Sequence, residues 1–357
     1  MRRLFALVLC SCLIACGARP SVKPDTIVTD MEPVVVKPPT TDGDLYFYSA
    51  KELFDRGRLA RSFEKYTDCV RFFSMVLKDF PKSKFALPAI YNRGLCHESL
   101  SDPNSAIENF EQYTQLTRDP VDRLDGFFRL LHNLVEAERN SRGLLLANKL
   151  LEQQLDELDR AEITIKKGII FGRIGQQDKS KALLVKAARM AKKAAHGLIH
   201  GNTVLAEAEL HLGLLYLKQM KNIRLVLPLS RMKIDLGLKM TTFRKSQRHL
   251  LNAVSGQVKQ PSTRAGEALG SLYATLYGDL LAAERPANLS SDEVDIYLEE
   301  LVKRITPVLK NAITIYEKSL ALGHRLGADE KWLSEVHIQK ERLESLLKDT
   351  HDAPKGK

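Results

Sequence analysis

The spacing of the apolar side chains is the feature that most restricts how this chain can fold. From residue 45 onward these side chains recur every three or four positions, which is the period of a helix with one buried face. The strict alternation that marks half-buried strands is nearly absent. We therefore predict an all-α chain. One clear stripe, which ends at Phe80-Pro81, consists of Tyr66, Cys69, Val70, Phe73, Val76 and Leu77.

Capping residues indicate where several helices begin. Asp102-Pro103 and Asp119-Pro120 each combine an N-cap side chain with a proline at the first helical position. Ser290 and Glu293 have the spacing of a capping box before a long helix that we predict over residues 291–322. Because proline inside a helix removes a backbone hydrogen bond, we expect Pro307 to kink or divide that helix.

The helices recur in pairs. Residues 87–120 contain Gly94, then Ala106, Phe110 and a closing Pro120. This order resembles the tetratricopeptide repeat, in which small residues let two antiparallel helices approach closely and an aromatic ring fills the space between helices. The resemblance implies a solenoid of helical hairpins; an irregular helical bundle is the alternative. The preceding unit supplies matching residues for a second helix: Cys69, Phe73, Val76 and Pro81.

Other units match less well. The first helix of the preceding unit is expected near residues 45–56, offset by a short insertion, and residues 332–347 are predicted to form an amphipathic cap. A helix around residues 206–216 lacks a clear partner because Pro228 interrupts the sequence that follows. The weaker matches are Gly168, Ala182, Ala187 and Ala188; Ala206, Leu210, Gly213 and Tyr216; and Ala312, Tyr316 and Leu320.

Two segments resemble particular groups of tetratricopeptide-repeat proteins. Residues 80–94 are similar to a junction in periplasmic members that act in outer-membrane assembly and in cell division. Residues 268–347 are similar to large members of gliding-motility and envelope machineries. The resemblance implies a scaffold that binds other proteins, without catalysis and without a cofactor.

The N-terminus carries an export signal. Arg2 and Arg3 precede an apolar run over residues 4–14, which is too short to span a bilayer. The run ends in Leu13-Ile14-Ala15-Cys16-Gly17, which resembles the lipobox of bacterial lipoproteins. The resemblance implies cleavage before Cys16 and acylation of its thiol, with palmitate among the acyl chains. A plain secretory signal with incidental cysteines is the alternative.

The residues after Cys16 predict the membrane in which the lipoprotein is anchored and the start of the folded region. By resemblance, Gly17 after the acylated cysteine indicates a lipoprotein of the outer membrane that faces the periplasm. A proline-rich stretch with few large apolar residues follows and is predicted to be a disordered tether. The predicted divisions are a signal peptide (1–15), a lipidated linker (16–43), tetratricopeptide-like repeats (44–120), degenerate basic repeats (121–260), C-terminal repeat helices with a cap (261–349) and a flexible tail (350–357).

Charge is distributed unevenly. The formal net charge is +10, whereas residues 160–260 hold 20 Lys and Arg against 5 Asp and Glu, a local excess of +15. Such a region attracts anionic lipid, acidic polymer or an acidic protein. The export signal argues against nucleic acid as the partner. The basic patch we single out consists of Lys186, Arg189, Lys192 and Lys193.

The remaining candidates for chemistry are few. Cys69 and Cys96 are expected on neighbouring helices, where two buried thiols are favoured over a disulfide. His196 and His200 lie four residues apart, but Gly197 stands where a zinc protease has glutamate, so no metal site is predicted. Neither a nucleophile elbow nor a phosphate-binding glycine loop is present, and we expect no enzymatic activity.

We therefore expect the function to depend on a surface that binds a partner. By the repeat resemblance, first helices line a binding groove, which places Tyr91, Leu95, Glu98 and Ser99 at inward positions; the alternative for Leu95 is a core position. We expect a lipid-anchored periplasmic adaptor that binds a protein or peptide of an envelope complex. The alternative is binding of anionic cell-wall polymer or lipid through residues 160–260. The sequence does not determine the oligomeric state.

Overall fold

The computed structural model describes residues 34–37, 46–194, 199–285 and 290–352, and within them it contains thirteen helices and one two-stranded ribbon. The predicted all-α fold is confirmed. The elements are β1 (Val34–Lys37), β2 (Tyr46–Ser49), α1 (Ala50–Ser62), α2 (Tyr66–Asp79), α3 (Ala86–Ser99), α4 (Pro103–Leu116), α5 (Pro120–Glu136), α6 (Asn140–Leu151), α7 (Glu157–Arg173), α8 (Gln177–Ala194), α9 (Ile199–Lys221), α10 (Leu229–Ser255), α11 (Lys259–Leu281), α12 (Ser291–Leu326) and α13 (Glu330–Asp352).

The helices form a solenoid of hairpins. Each odd-numbered helix from α1 to α11 packs against the even-numbered helix that follows it, and α13 packs against α12 as a cap. We call the odd-numbered members first helices and the even-numbered members second helices. First helices also contact one another, α5 with α7, α7 with α9, and α9 with α11. A repeated hairpin thus builds one continuous face from first helices.

The predicted pairing of a small residue with an aromatic ring is confirmed in the second hairpin, and the first hairpin contains the same pairing. A Cβ on Gly94 would lie 2.8 Å from Cζ of Phe110, so only glycine lets α3 approach α4 this closely. Gly57 has the same relation to Phe73, also at 2.8 Å. The insertion predicted in the first unit is therefore wrong. Helix α1 begins later than expected because Ser49 caps it, accepting a hydrogen bond from the backbone N–H of Glu52.

Later hairpins also differ from the prediction. Helix α10 is the partner of α9, and Pro228 stands before this helix as its N-cap residue instead of interrupting it. Pro307 lies inside α12 without dividing it. The division predicted after residue 260 falls inside α11, and the one after residue 349 falls inside α13. One apolar core joins α9, α10 and α11, so the change in charge along the sequence does not mark a change in packing.

The prediction of a disordered linker over residues 16–43 is wrong at residues 34–37. Val34–Lys37 pair with Tyr46–Ser49 as an antiparallel ribbon, and Val35 packs against the core of the first hairpin. The Val-Val-Val run of β1 is β-branched and suits an extended strand. Tyr48 is buried, and its hydroxyl donates a 2.7 Å hydrogen bond to Asp79 on α2. Cys16 and the signal peptide lie outside the described residues.

Cys69 and Cys96 form a disulfide, with their Cα atoms 6.2 Å apart. The expectation of two buried free thiols is therefore wrong. The two residues lie on α2 and α3, as expected from the repeat register, and both are fully buried. The bond covalently links the first hairpin to the second. Within the part of the chain that the structure describes, no helix combines the length and the apolarity needed to cross a membrane.

Candidate partner-binding face

Two of the four predicted groove residues connect α3 to α5. The Tyr91 hydroxyl donates a hydrogen bond to the Asp125 carboxylate. Glu98 accepts a 2.6 Å hydrogen bond from the Asn133 side chain and forms an ion pair with Arg129 at 3.3 Å. Burial raises the pKa of Glu98, against the opposing effect of Arg129. These two side chains therefore hold neighbouring first helices together while remaining at their surface.

The other two predicted residues have local roles. Leu95 packs against the core cluster that includes Phe110 and Leu130, and the Ser99 hydroxyl donates to the Leu95 carbonyl at 3.1 Å. The Tyr91 ring packs edge-on against Phe110, with centroids 5.6 Å apart. The alternative of a core position is therefore confirmed for Leu95, and the Tyr91 ring is also partly buried against the same cluster. The polar side chains of the neighbouring helices are therefore the better candidates for contact with a partner.

Those polar side chains line a cavity of about 560 Å³ built from α5, α7, α9 and α11. We call it the first-helix cavity. Its lining includes five carboxylates and three cations, a formal charge of 3 − 5 = −2, together with two histidines. The carboxylates are Asp125, Glu136, Asp159, Glu162 and Glu207; the cations are Arg129, Lys166 and Arg264; the histidines are His132 and His211. A smaller cavity of 260 Å³ adjoins it, since Glu136 lines both, and Glu98 and Asn133 line the smaller one.

A buried ion pair lies at the base of the first-helix cavity. The Lys166 ammonium on α7 is 2.7 Å from the Glu207 carboxylate on α9, and their side chains are 7% and 21% exposed. Burial disfavours the charged form of each group, but the attraction and hydrogen bond between them, together with the charges of neighbouring groups, outweigh it. As a result the pKa of Glu207 falls to about 2, and the pKa of Lys166 rises. Both groups are charged at neutral pH, and the pair joins two first helices.

Two neutral histidines flank this pair. His132 on α5 places Nδ1 3.5 Å from the Lys166 ammonium. Burial, followed by the charge of Lys166, lowers the pKa of His132 to about 4. Burial also lowers the pKa of His211, on α9, to about 3, in spite of the nearby Glu207 carboxylate. Each imidazole is therefore neutral at pH 7 and offers one donor and one acceptor nitrogen.

Sequence reasoning missed Lys166, Glu207, His132 and His211. A signal was nevertheless present, because His132 and Lys166 are 34 residues apart, as are Tyr91 and Asp125. That separation matches the length of one tetratricopeptide repeat, and Tyr91 and Asp125 occupy equivalent positions in α3 and α5. Lys166 and Glu207 are 41 residues apart, so their contact does not follow the length of the repeat.

The predicted basic patch lies elsewhere. Lys186, Arg189, Lys192 and Lys193 are all exposed on α8, a second helix, and none of them lines the first-helix cavity. His196 and the side chain of His200 lie outside the part of the chain that the structure describes. Over residues 34–37, 46–194, 199–285 and 290–352, no three His, Cys, Asp or Glu side chains cluster in a way that could hold a metal ion.

Comparisons with known proteins add little to this picture. No family model matches the sequence, and no curated protein matches it. Similar solved structures include the apo form of RapI, at 12% identity and a TM-score of 0.47, over 84% of this chain and 99% of that one. A Rap protein complexed with competence and sporulation factor is similar at 9% identity and a TM-score of 0.42, over 84% of this chain and 76% of that one.

A third similar structure is a tetratricopeptide repeat protein from Parabacteroides merdae, at 11% identity and a TM-score of 0.39. That match covers 82% of this chain and 98% of the other. The assignment of a tetratricopeptide-like solenoid rests on the helix pairs described above and on the close approach of Gly57 to Phe73 and of Gly94 to Phe110.

Proposed function

We propose that this protein is a binding scaffold whose first-helix cavity receives a segment of a partner protein, and that an acylated Cys16 holds it at the outer membrane, facing the periplasm. The observation that carries the proposal is the cavity itself. Four successive first helices present hydrogen-bonding and charged side chains into one space of about 560 Å³. No catalytic role is proposed for any of these residues.

The chemistry of the cavity indicates what kind of segment would fit. Its lining has a formal charge of −2, and its two neutral imidazoles offer both donors and acceptors. Because Lys166 is already paired with Glu207, the ligand does not have to neutralise it. A peptide segment that carries lysine or arginine and exposes backbone amides complements this surface. We therefore expect a basic, polar peptide and not an apolar one.

Support for the anchor comes from the N-terminal sequence. Arg2 and Arg3, the apolar run over residues 4–14 and the Ala15-Cys16-Gly17 junction together resemble a lipoprotein signal. A lipid at Cys16 would restrict the scaffold to the membrane surface and raise its effective concentration toward partners there. The adaptor hypothesis combines this anchor with the cavity.

A matched photo-crosslinking experiment tests the cavity. A photoreactive amino acid replaces Glu136 or Gln260, two exposed residues of the cavity lining, or replaces Glu335 or Gln339, two exposed residues of the same types on α13. We expect one discrete adduct of the same mass at both cavity positions and none at the α13 positions. Equal labelling at all four positions would contradict binding in the cavity.

Fractionation of cells tests the anchor independently. Replacing Cys16 with alanine should move the protein from the membrane fraction to the soluble fraction. Replacing Cys12 with alanine removes a thiol from the same apolar segment and should leave the protein in the membrane fraction. Retention of the Cys16→Ala variant, or mass spectrometry that detects no acyl chain on Cys16, would overturn the anchor without affecting the cavity.

A further inference from the structure

The exposed side of α10 is strongly basic. Lys233, Arg244, Lys245 and Arg248 are all exposed on this helix. Its single carboxylate, Asp235, is buried and paired with Arg231 at 2.9 Å. The four exposed cations are therefore not balanced by any carboxylate of their own helix. A positive surface of this density attracts an anionic partner.

The same side of α10 also exposes large aliphatic side chains. Leu229 is 63% exposed, Ile234 69% and Leu238 54%. Ile234 and Leu238 lie one turn apart, and Lys245 follows them on the same side of the helix two turns later. Water contact with three such side chains is unfavourable, and an apolar phase would relieve it.

The basic surface continues from α10 onto α8. The ammonium groups of Lys181 on α8 and Lys245 on α10 lie 5.6 Å and 5.8 Å from the centroid of the same ring, that of Tyr216 on α9. The cations of the α8 patch are exposed, and Asp178 is the one carboxylate of that helix. We call the exposed sides of α8 and α10 the second-helix face.

We propose that the second-helix face docks onto the surface of a membrane rich in anionic phospholipid. Lys and Arg side chains would contact the phosphate headgroups, while Ile234 and Leu238 would enter the boundary between headgroups and acyl chains. An acidic polymer would be attracted by the cations but has no apolar layer for the aliphatic side chains. The combination of exposed cations and exposed aliphatic side chains therefore favours lipid over cell-wall polymer. This inference does not depend on the first-helix cavity.

Vesicle sedimentation tests the role of charge. All variants are made in the full chain with Cys16→Ala, so that no acyl chain contributes, and the readout is the ratio of binding to vesicles with phosphatidylglycerol over binding to pure phosphatidylcholine. Replacing Lys233, Arg244, Lys245 and Arg248 with glutamine should lower this ratio at least about tenfold, since each cation near an anionic membrane contributes to binding. The matched control replaces four exposed cations of α12 and α13, Lys310, Lys318, Arg325 and Arg342, and should retain the ratio.

A second pair of variants distinguishes lipid from polymer. Ile234→Gln with Leu238→Gln should also weaken binding to anionic vesicles several-fold, because aliphatic burial contributes to binding. Leu145→Gln with Ile338→Gln changes two side chains of similar exposure, 73% and 57%, and should have no effect. Urea unfolding of each variant verifies that it folds.

Three results would overturn the proposal. They are equal binding of the parent chain to anionic and neutral vesicles, an unchanged ratio in the four-cation variant, and full binding by the Ile234→Gln, Leu238→Gln variant. The last result, together with salt-sensitive sedimentation on cell-wall sacculi, would indicate attraction to polyanions through charge alone.

Discussion

The first-helix cavity and the second-helix face differ in how far their charged side chains are buried. In the cavity, Lys166 is almost completely buried and is paired with Glu207 at 2.7 Å. On the second-helix face, Lys233, Arg244 and Arg248 are exposed to solvent. The difference follows from solvation, because a buried charge without a partner loses its hydration, whereas an exposed one keeps it. The charges of the Lys166–Glu207 pair are therefore part of the structure, and the charges on the outer face are available for binding.

The largest expected effect is on the buried pair. Glu207→Leu leaves the Lys166 ammonium buried without its partner and should lower the free energy of unfolding by about 3–5 kcal/mol. The double variant with Lys166→Met should recover most of this loss, since two well-packed apolar side chains can replace a buried pair. Urea denaturation followed by circular dichroism measures both.

The exposed pair of Glu300 and Arg304, at 2.8 Å, provides the control. Glu300→Leu should change the free energy of unfolding far less than Glu207→Leu does, because exposed i, i+4 pairs contribute little. Similar losses for Glu207→Leu and Glu300→Leu would show that burial does not distinguish the two kinds of charge.

The second expected effect is a dependence on pH that arises in the cavity. His132 and His211 have folded-state pKa values of about 4 and about 3, below the unfolded value of about 6.5. Below about pH 6.5 the unfolded chain therefore binds more protons than the folded one. Stability should fall as the pH drops from about 6.5 toward 4, by up to about 1.4 kcal/mol per pH unit for each histidine.

Urea unfolding at pH 7, 6 and 5 measures this slope. The variant with His132→Gln and His211→Gln should show a flatter dependence, although burial also lowers the pKa of His97 and will retain part of the slope. A double variant with the slope of the parent chain would locate the proton uptake outside the cavity.

A third, smaller effect concerns the contact between the two regions. Helix α7 carries Lys166, and helix α8 carries the basic patch. Where these two helices pack together, a Cβ on Gly168 of α7 would lie 2.9 Å from Cγ of Leu184 of α8. Gly168→Ala should therefore overpack this contact and destabilise the fold by about 1–3 kcal/mol. Gly237→Ala on α10 meets nothing within 4 Å and should stabilise the helix by up to about 1 kcal/mol. Equal changes in melting temperature for the two variants would contradict the close approach.

The smallest effect is expected on the outer face. Replacing Lys233, Arg244, Lys245 and Arg248 with glutamine should change the free energy of unfolding by no more than about 0.5 kcal/mol per site, because none of them is buried. The same variant is expected to lose vesicle binding. A large loss of stability would mean that these cations have a structural role, and the two regions would then be more alike than we propose.

Local features of the sequence predicted much of the fold. The helical spacing, the Asp102-Pro103 and Asp119-Pro120 starts and the Ser290–Glu293 capping box all depend on neighbours a few residues apart, and the structure contains each of them. Gly94 and Phe110 indicated that α3 and α4 pack closely, because the two residues lie close in sequence within one repeat. The exposed positions of the α8 patch were likewise predictable from charge.

The candidate site could be predicted only in part. Tyr91 and Glu98 were predicted to line a partner-binding groove, but their hydrogen bonds to α5 were not foreseen. The β1 strand was also missed, since four residues become a strand only when a partner lies beside them.

By itself, the sequence determined that the chain is helical, that its helices pair through small and aromatic residues, and that its positive charge is concentrated over residues 160–260. Only the tertiary structure decided which of those charges are buried. Lys166 and Lys239 are as polar as Lys186, yet Lys166 faces Glu207 and Lys239 faces Asp279, 41 and 40 residues away. The physical reason is that solvation depends on what packs against a side chain in space, and the spacing between successive first helices is not constant along this chain.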